Sequence, residues 1–132
     1  MTLEPLAATE TPATMQVKGR NAITLDNVLV GQVWIGSGQS NMDRSVGSLP
    51  EAKAELAKAD DKGIRLFQVP RELADRPQED LKGKWVVCSG ENVREFAAAL
   101  YFFGRTVRGE LKEPVGLIGA AWAGSAMVTI SL

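Results

Sequence analysis

The chain contains no histidine. That absence removes the commonest general base, the commonest zinc ligand and the usual partner of a nucleophilic serine or cysteine. Cysteine is nearly absent as well. Cys88 stands alone, so no disulfide forms within the chain and no CxxC or zinc cluster is available. It sits in the apolar run Trp85-Val86-Val87-Cys88, where a free cysteine behaves as a small buried hydrophobe. Neither sign of charge is in excess: 15 Lys and Arg against 16 Asp and Glu leave a net charge of -1. A balance of that kind does not drive phosphate-backbone binding, so nucleic acid is excluded as an expected partner. Residues 115–132 carry no charge, yet Gly116, Gly119, Gly124, Ser125, Thr129 and Ser131 interrupt them. They read as a buried strand running into a turn rather than a membrane helix. Residues 1–14 lack the basic start and apolar core of a signal peptide, and the chain as given is expected to be cytoplasmic.

What is present fits one globular α/β domain. At 132 residues, 45% hydrophobic and 23% charged, the chain is long enough to bury roughly two thirds of its unfolded surface. Residues 1–14, rich in Thr, Ala and Pro, read as a flexible leader. Met15 and Val17, then Ile23 and Leu25, alternate with polar residues across Gly19-Arg20-Asn21, which predicts a short β-hairpin. Residues 28–35 read as a buried strand that ends at Gly36-Ser37-Gly38. Ser48 with Glu51 three residues on predicts a capped helix over 50–59, stopped by Gly63. A strand over 64–69, an exposed loop over 71–82 and a short strand over 84–88 follow. Asn92 and Glu95 form a second capping pair, and Phe96, Leu100, Phe103, Val107 and Leu111 define one apolar stripe on a long helix. Residues 115–120 are the next strand. Strands alternating with helices imply a parallel sheet.

Most conspicuous residues have ordinary structural explanations. Tyr101, Phe102 and Phe103 fan around a helix axis and are expected to pack, as are Trp34 and Trp85 within strands. The Asp60-Asp61 and Glu79-Asp80 pairs lack the ligand spacing of a calcium loop and read as solvated charge. Trp122, directly after a strand and beside a glycine turn, is compatible with a ligand-facing role.

One segment carries chemistry. Gly36-Ser37-Gly38-Gln39-Ser40-Asn41-Met42 follows a strand, so the Ser40 hydroxyl stands at the C-terminal edge of the sheet beside backbone N–H donors able to stabilise an oxyanion. The same residues also suit a plain helix N-cap. A dinucleotide fingerprint fails, because its third glycine position holds Asn41 and no acidic residue ends the next strand.

The string Val28-Leu29-Val30-Gly31-Gln32-Val33-Trp34-Ile35-Gly36-Ser37-Gly38-Gln39-Ser40-Asn41-Met42 resembles the nucleophile block of sialate O-acetylesterases and related carbohydrate esterases of the SGNH (GDSL-like) hydrolase superfamily. The resemblance continues through Ile64-Arg65-Leu66-Phe67, Lys84 to Cys88, Phe96 to Arg105 and Pro114 to Ile118. It implies a serine esterase that removes acetyl groups from sugars with no metal or organic cofactor. Ser40 would be the nucleophile, its own N–H one oxyanion donor and Gly124 the second, in a Trp122-Ala123-Gly124-Ser125-Ala126 turn where the family has a Trp-Gly-Gly-Thr-Pro type. Gln39, Asn41, Trp122 and Ser125 would meet the substrate, a small acyl ester or acetylated sugar. The family's Asn or Gln block and its C-terminal Asp-x-x-His have no counterpart here. The expectation is a truncated domain that is weakly active, or that works by an altered mechanism. Asp43 or a lysine is conceivable as a substitute base, although no spacing singles one out. The alternative is a non-catalytic, self-associating or carbohydrate-binding remnant.

By the same resemblance the fold would be a flavodoxin-like three-layer sandwich, with residues 15–31 the end of an upstream β-domain and 32–132 a partial hydrolase domain. The strands at Val33, Ile64 and Val115 would be ordered second-first-third. Residues 115–130 would then form an uncovered edge joining a homo-oligomer.

Overall fold

The computed structural model describes residues 4–73, 75, 76 and 78–124. Strands β1 (Thr9–Lys18) and β2 (Ala22–Val30) pair antiparallel as a separate two-stranded sheet. The expected hairpin is there, but pairing starts at Thr9↔Val30, inside the stretch read as leader. Pro12 is tolerated because the register shifts between Thr9 and Ala13, which spares a ladder bond that proline cannot donate.

The second sheet holds β3 (Gln32–Gly38), β4 (Asp60–Gln68), β5 (Trp85–Ser89) and β6 (Val115–Ala121). Between them run α1 (Ser40–Asp43), α2 (Ala52–Lys58), α3 (Gly90–Arg94) and α4 (Ala98–Leu111). The run expected as one strand over 28–35 is cut at Gly31. A Cβ there would lie 2.0 Å from the Pro114 carbonyl oxygen, and the chain passes to the other sheet with Gln32 N–H donating to that same carbonyl at 2.9 Å.

The α/β class and three parallel strands stand, but the strand order is β3-β6-β4-β5. The strand at Val115 is therefore central, with Gln32 and Ile64 both pairing to Val115, and it is not an uncovered edge. Its sequence, Val-Gly-Leu-Ile-Gly-Ala-Ala, has no polar side chain and suits a position paired on both sides. β5 runs antiparallel to β4 at one edge, and β3 forms the other.

Ile64, Leu66, Val115, Leu117 and Cys88 point to one face, against Ala98, Leu100, Tyr101, Val93, Phe96 and Val46. Gly104 permits the close approach of α4: a Cβ there would stand 2.4 Å from a Leu117 methyl. The opposite face shows Val33, Ile35 and Trp85 roughly half exposed, and no described helix covers it. Among the described residues the helices pack on one face of the sheet, within the truncated α/β sandwich expected.

The helix ends differ from the capping reading. Ser48 lies in a 3-10 turn and donates to the Ser45 carbonyl at 2.7 Å, and Glu51 occupies the N-cap of α2 without a side-chain bond. Ser89 caps α3, accepting from Asn92 N–H at 3.3 Å, and Glu95 closes that helix. The long helix breaks at 95–97 because the chain turns extended to bridge Ser45↔Ala97, with Ala98 N–H donating to the Arg44 carbonyl at 2.8 Å. The buried face of α4 is consequently Ala98, Leu100, Tyr101 and Gly104, while Phe103 and Leu111 are exposed. Trp34, on the edge strand, is 41% exposed and meets Phe103 edge-on at 5.1 Å; Trp85 leans on Phe67 at 5.4 Å. No described helix is long and apolar enough to cross a membrane.

Candidate active site

Parallel, in-register pairing of β3 and β6 brings their C-terminal ends together: Gly38 pairs with Ala121, and Trp122 N–H donates to the Gly38 carbonyl at 3.0 Å. The residues that follow the two strands, Gln39 to Asn41 and Trp122 to Gly124, therefore leave the sheet side by side. This is the C-terminal edge at which α/β sheets hold their ligands.

Gly38 makes the first of these turns possible. Its φ of +138° is one that side-chain-bearing residues rarely adopt, and a Cβ would sit 2.9 Å from Met42. Met42 and Asp43 N–H then donate to the Gln39 carbonyl at 2.8 and 2.9 Å, winding α1 at once. Gln39 takes the N-cap position with no side-chain cap bond, so neither Ser40 nor Asn41 serves as the cap. Ser40 opens the helix, exposed, with its hydroxyl donating to Gln39 Oε1 at 3.4 Å. Gln39 and Asn41 are exposed beside it.

On the β6 side Trp122 is partly buried and Gly124 is exposed in the left-handed region, with a φ of +78°. Ser125 lies outside the described residues. Ser40, Gln39, Asn41, Trp122 and Gly124 thus share one edge of the sheet.

Two further residues enter that sequence spacing did not single out. The Asp43 carboxylate, 12% exposed, accepts from Ala123 N–H through Oδ2 at 2.9 Å and pairs through Oδ1 with the Arg71 guanidinium. Neither oxygen is hydrogen-bonded to Ser40, whose hydroxyl donates to Gln39 instead. The carboxylate's two partners, Arg71 and Ala123, lie 28 and 80 positions from Asp43, which is why no local motif reveals them. Among the described residues no three His, Cys, Asp or Glu side chains gather into a cation site.

No family model matches the chain. Sialate O-acetylesterases from Pongo abelii and Homo sapiens are each 32% identical over 112 residues, covering 78% of this chain. That from Mus musculus is 32% identical over 114 residues. The chain spans 21% of the length of these relatives. A carbohydrate acetylesterase from Xanthomonas citri superimposes with a TM-score of 0.88 at 33% identity, over 95% of this chain and 29% of that one. Sequence and fold agree, and over the segment they share this chain is a relative of the sialate O-acetylesterase type of SGNH-like carbohydrate esterases.

Proposed function

We propose that the chain is an esterase-type domain acting on small acyl esters such as acetylated sugars, with Ser40 as nucleophile. The observation that carries this reading is the exposed Ser40 on a glycine-opened strand-to-helix turn, beside the Trp122–Gly124 turn. Ser40 Oγ would bond to the ester carbonyl carbon while its proton passes to water. The resulting oxyanion would accept from the N–H groups of Ser40 and Gly124. Collapse breaks the bond to the sugar oxygen, which takes up a proton as the alcohol leaves. A water molecule then hydrolyses the acyl-serine. Gln39, Asn41, Trp122 and Ser125 would hold the substrate, and no metal or organic cofactor takes part.

With no imidazole in these 132 residues to accept the proton, turnover by this chain alone would be weak. Serine hydrolases lacking a triad member keep on the order of 10³–10⁴-fold acceleration over water from the oxyanion hole and binding. The four-stranded sheet and its helices form the hydrolase part in this reading, and the β1–β2 sheet is the end of a preceding β-domain. A fluorophosphonate probe and an activated acetyl ester test it. Labelling and hydrolysis by wild type should be abolished in Ser40→Ala, and equal rates in the two proteins would dismiss Ser40 as the nucleophile.

The open sheet face supports a second reading, a non-catalytic module that self-associates. In that case the probe labels neither protein.

A further inference from the structure

We infer that Asp43 is a positioning residue that locks the turn bearing the second oxyanion donor against the turn bearing Ser40; this rests on the esterase reading proposed above. Three contacts carry it. Trp122 N–H on the Gly38 carbonyl, at 3.0 Å, ties the two turns where they leave the sheet. One residue further on, Ala123 N–H donates to Asp43 Oδ2 at 2.9 Å, from the helix that Ser40 opens. Arg71, on the segment after β4, holds the other carboxylate oxygen and so fixes the rotamer from a third element. The chain between Ser40 and Asp43 is one helical turn, and that between Ala123 and Gly124 is one peptide.

The N–H of Gly124 thus has its direction set largely by where Ala123 is held. Gly124 itself gives no help, because it adopts a left-handed φ of +78° with nothing within 4 Å of its would-be Cβ. An N–H on so open a glycine is mobile unless its neighbour is anchored, and a charge-assisted bond to a mostly buried carboxylate is a strong anchor. Arg71 is half exposed, and surface pairs of that kind add little to folding. Orientation of Ala123 is the role that the Asp43–Ala123 bond supports. A displacement of about 1 Å at a reacting centre is enough to cost on the order of 10²-fold in rate.

The test uses the full chain. Fluorophosphonate labelling rate, kcat and KM on an activated acetyl ester, and amide exchange at Ala123 are measured for wild type, Asp43→Ala, Asp43→Asn and Arg71→Ala. Asp43→Ala is expected to label about tenfold slower or worse and to lose kcat at unchanged KM, since an oxyanion donor acts on the transition state. Ala123 amide exchange should rise to that of an open turn while amides of β6 stay protected. Asp43→Asn keeps an oxygen for Ala123 N–H and should stay within about threefold of wild type, and Arg71→Ala should fall between the two. A global structural role would instead speed exchange throughout and lower every variant together. Wild-type labelling by Asp43→Ala, or unchanged Ala123 exchange, overturns the inference. If Asp43→Ala does not fold, wild-type behaviour of Arg71→Ala at both readouts overturns it equally. A wild type that fails to label, or labels as Ser40→Ala does, defeats the esterase reading, and Ala123 exchange then decides the lock by itself.

Discussion

Individual residues divide by how far away their partners lie. The Ser40 turn was legible because every part of it is local: Gly38, Gln39 and Ser40 are consecutive, and the turn needs only a preceding strand. The Asp43–Ala123 bond was not legible, for its two ends are 80 positions apart and nothing in either neighbourhood marks them. Cys88 was read as a buried hydrophobe and is 1% exposed. Burial pushes its thiol pKa up, and the carboxylates of Asp61 and Asp60 add to this, against an Asp61 backbone hydrogen bond and the Arg105 charge, which lower it. A pKa higher in the folded state means that the native protein keeps this proton when the unfolded chain has lost it. The stabilisation is complete below the unfolded thiol value, about 8.5, and is lost as pH rises through the folded value. Denaturant midpoints should therefore fall as pH rises from about 8 to 10, and Cys88→Ala should flatten that fall. The Tyr101 hydroxyl, also raised by burial, contributes a similar loss at higher pH.

Elements were easier to find than to arrange. β4, β5, β6 and the hairpin lie close to where alternation and turn residues put them, because strand formation leaves a trace every second position. Their order left none. Whether β6 sits at an edge or in the middle depends on which backbone edges it satisfies, and its apolar composition alone is compatible with both. The α3–α4 break was hidden for a related reason: the stripe from Phe96 to Leu111 keeps helical spacing, while a bridge from Ser45 to Ala97 pulls the intervening residues straight. The central place of β6 makes a demand on its side chains. Leu117 is fully buried between Leu66 of β4 and the Gly104 notch of α4, so Leu117→Ala should cost about 2–5 kcal/mol in chemical denaturation. A loss below about 0.5 kcal/mol would mean that the notch closes by itself.

At the scale of the molecule, the sheet face that no described helix covers is the main exposed apolar surface among the described residues. Val33, Ile35 and Trp85 are 61%, 52% and 46% exposed, with Phe67 and Ile118 between them. Residues on that face alternate with core residues along each strand, so the same sequence pattern that packs α4 also builds the opposite apolar surface. A sheet apolar on both sides suits two covering layers, and a second copy of this chain is one testable occupant of the open face. Sedimentation should find a dimer or larger species at micromolar concentration. The double variant Val33→Lys with Ile35→Lys, at positions already in solvent, should sediment as a monomer with its fold intact. A wild type that is monomeric at the same concentration removes the idea.

The interior position of β6 also sets an order of assembly. Among the described residues β3 pairs only with β6 in this sheet, and β4 can meet only β5 until residues 115–121 arrive. Closing Gln32 onto Val115 brings together residues 83 positions apart, while β4 and β5 form a near-local ribbon. Non-local closure of that kind is slow compared with hairpin formation. The Ser40 turn, complete in sequence by residue 43, thus meets its neighbouring Trp122–Gly124 turn only once β6 docks on β3. Docking of β6 on β3, a non-local step slower than hairpin formation, is what brings the two halves of the candidate site together.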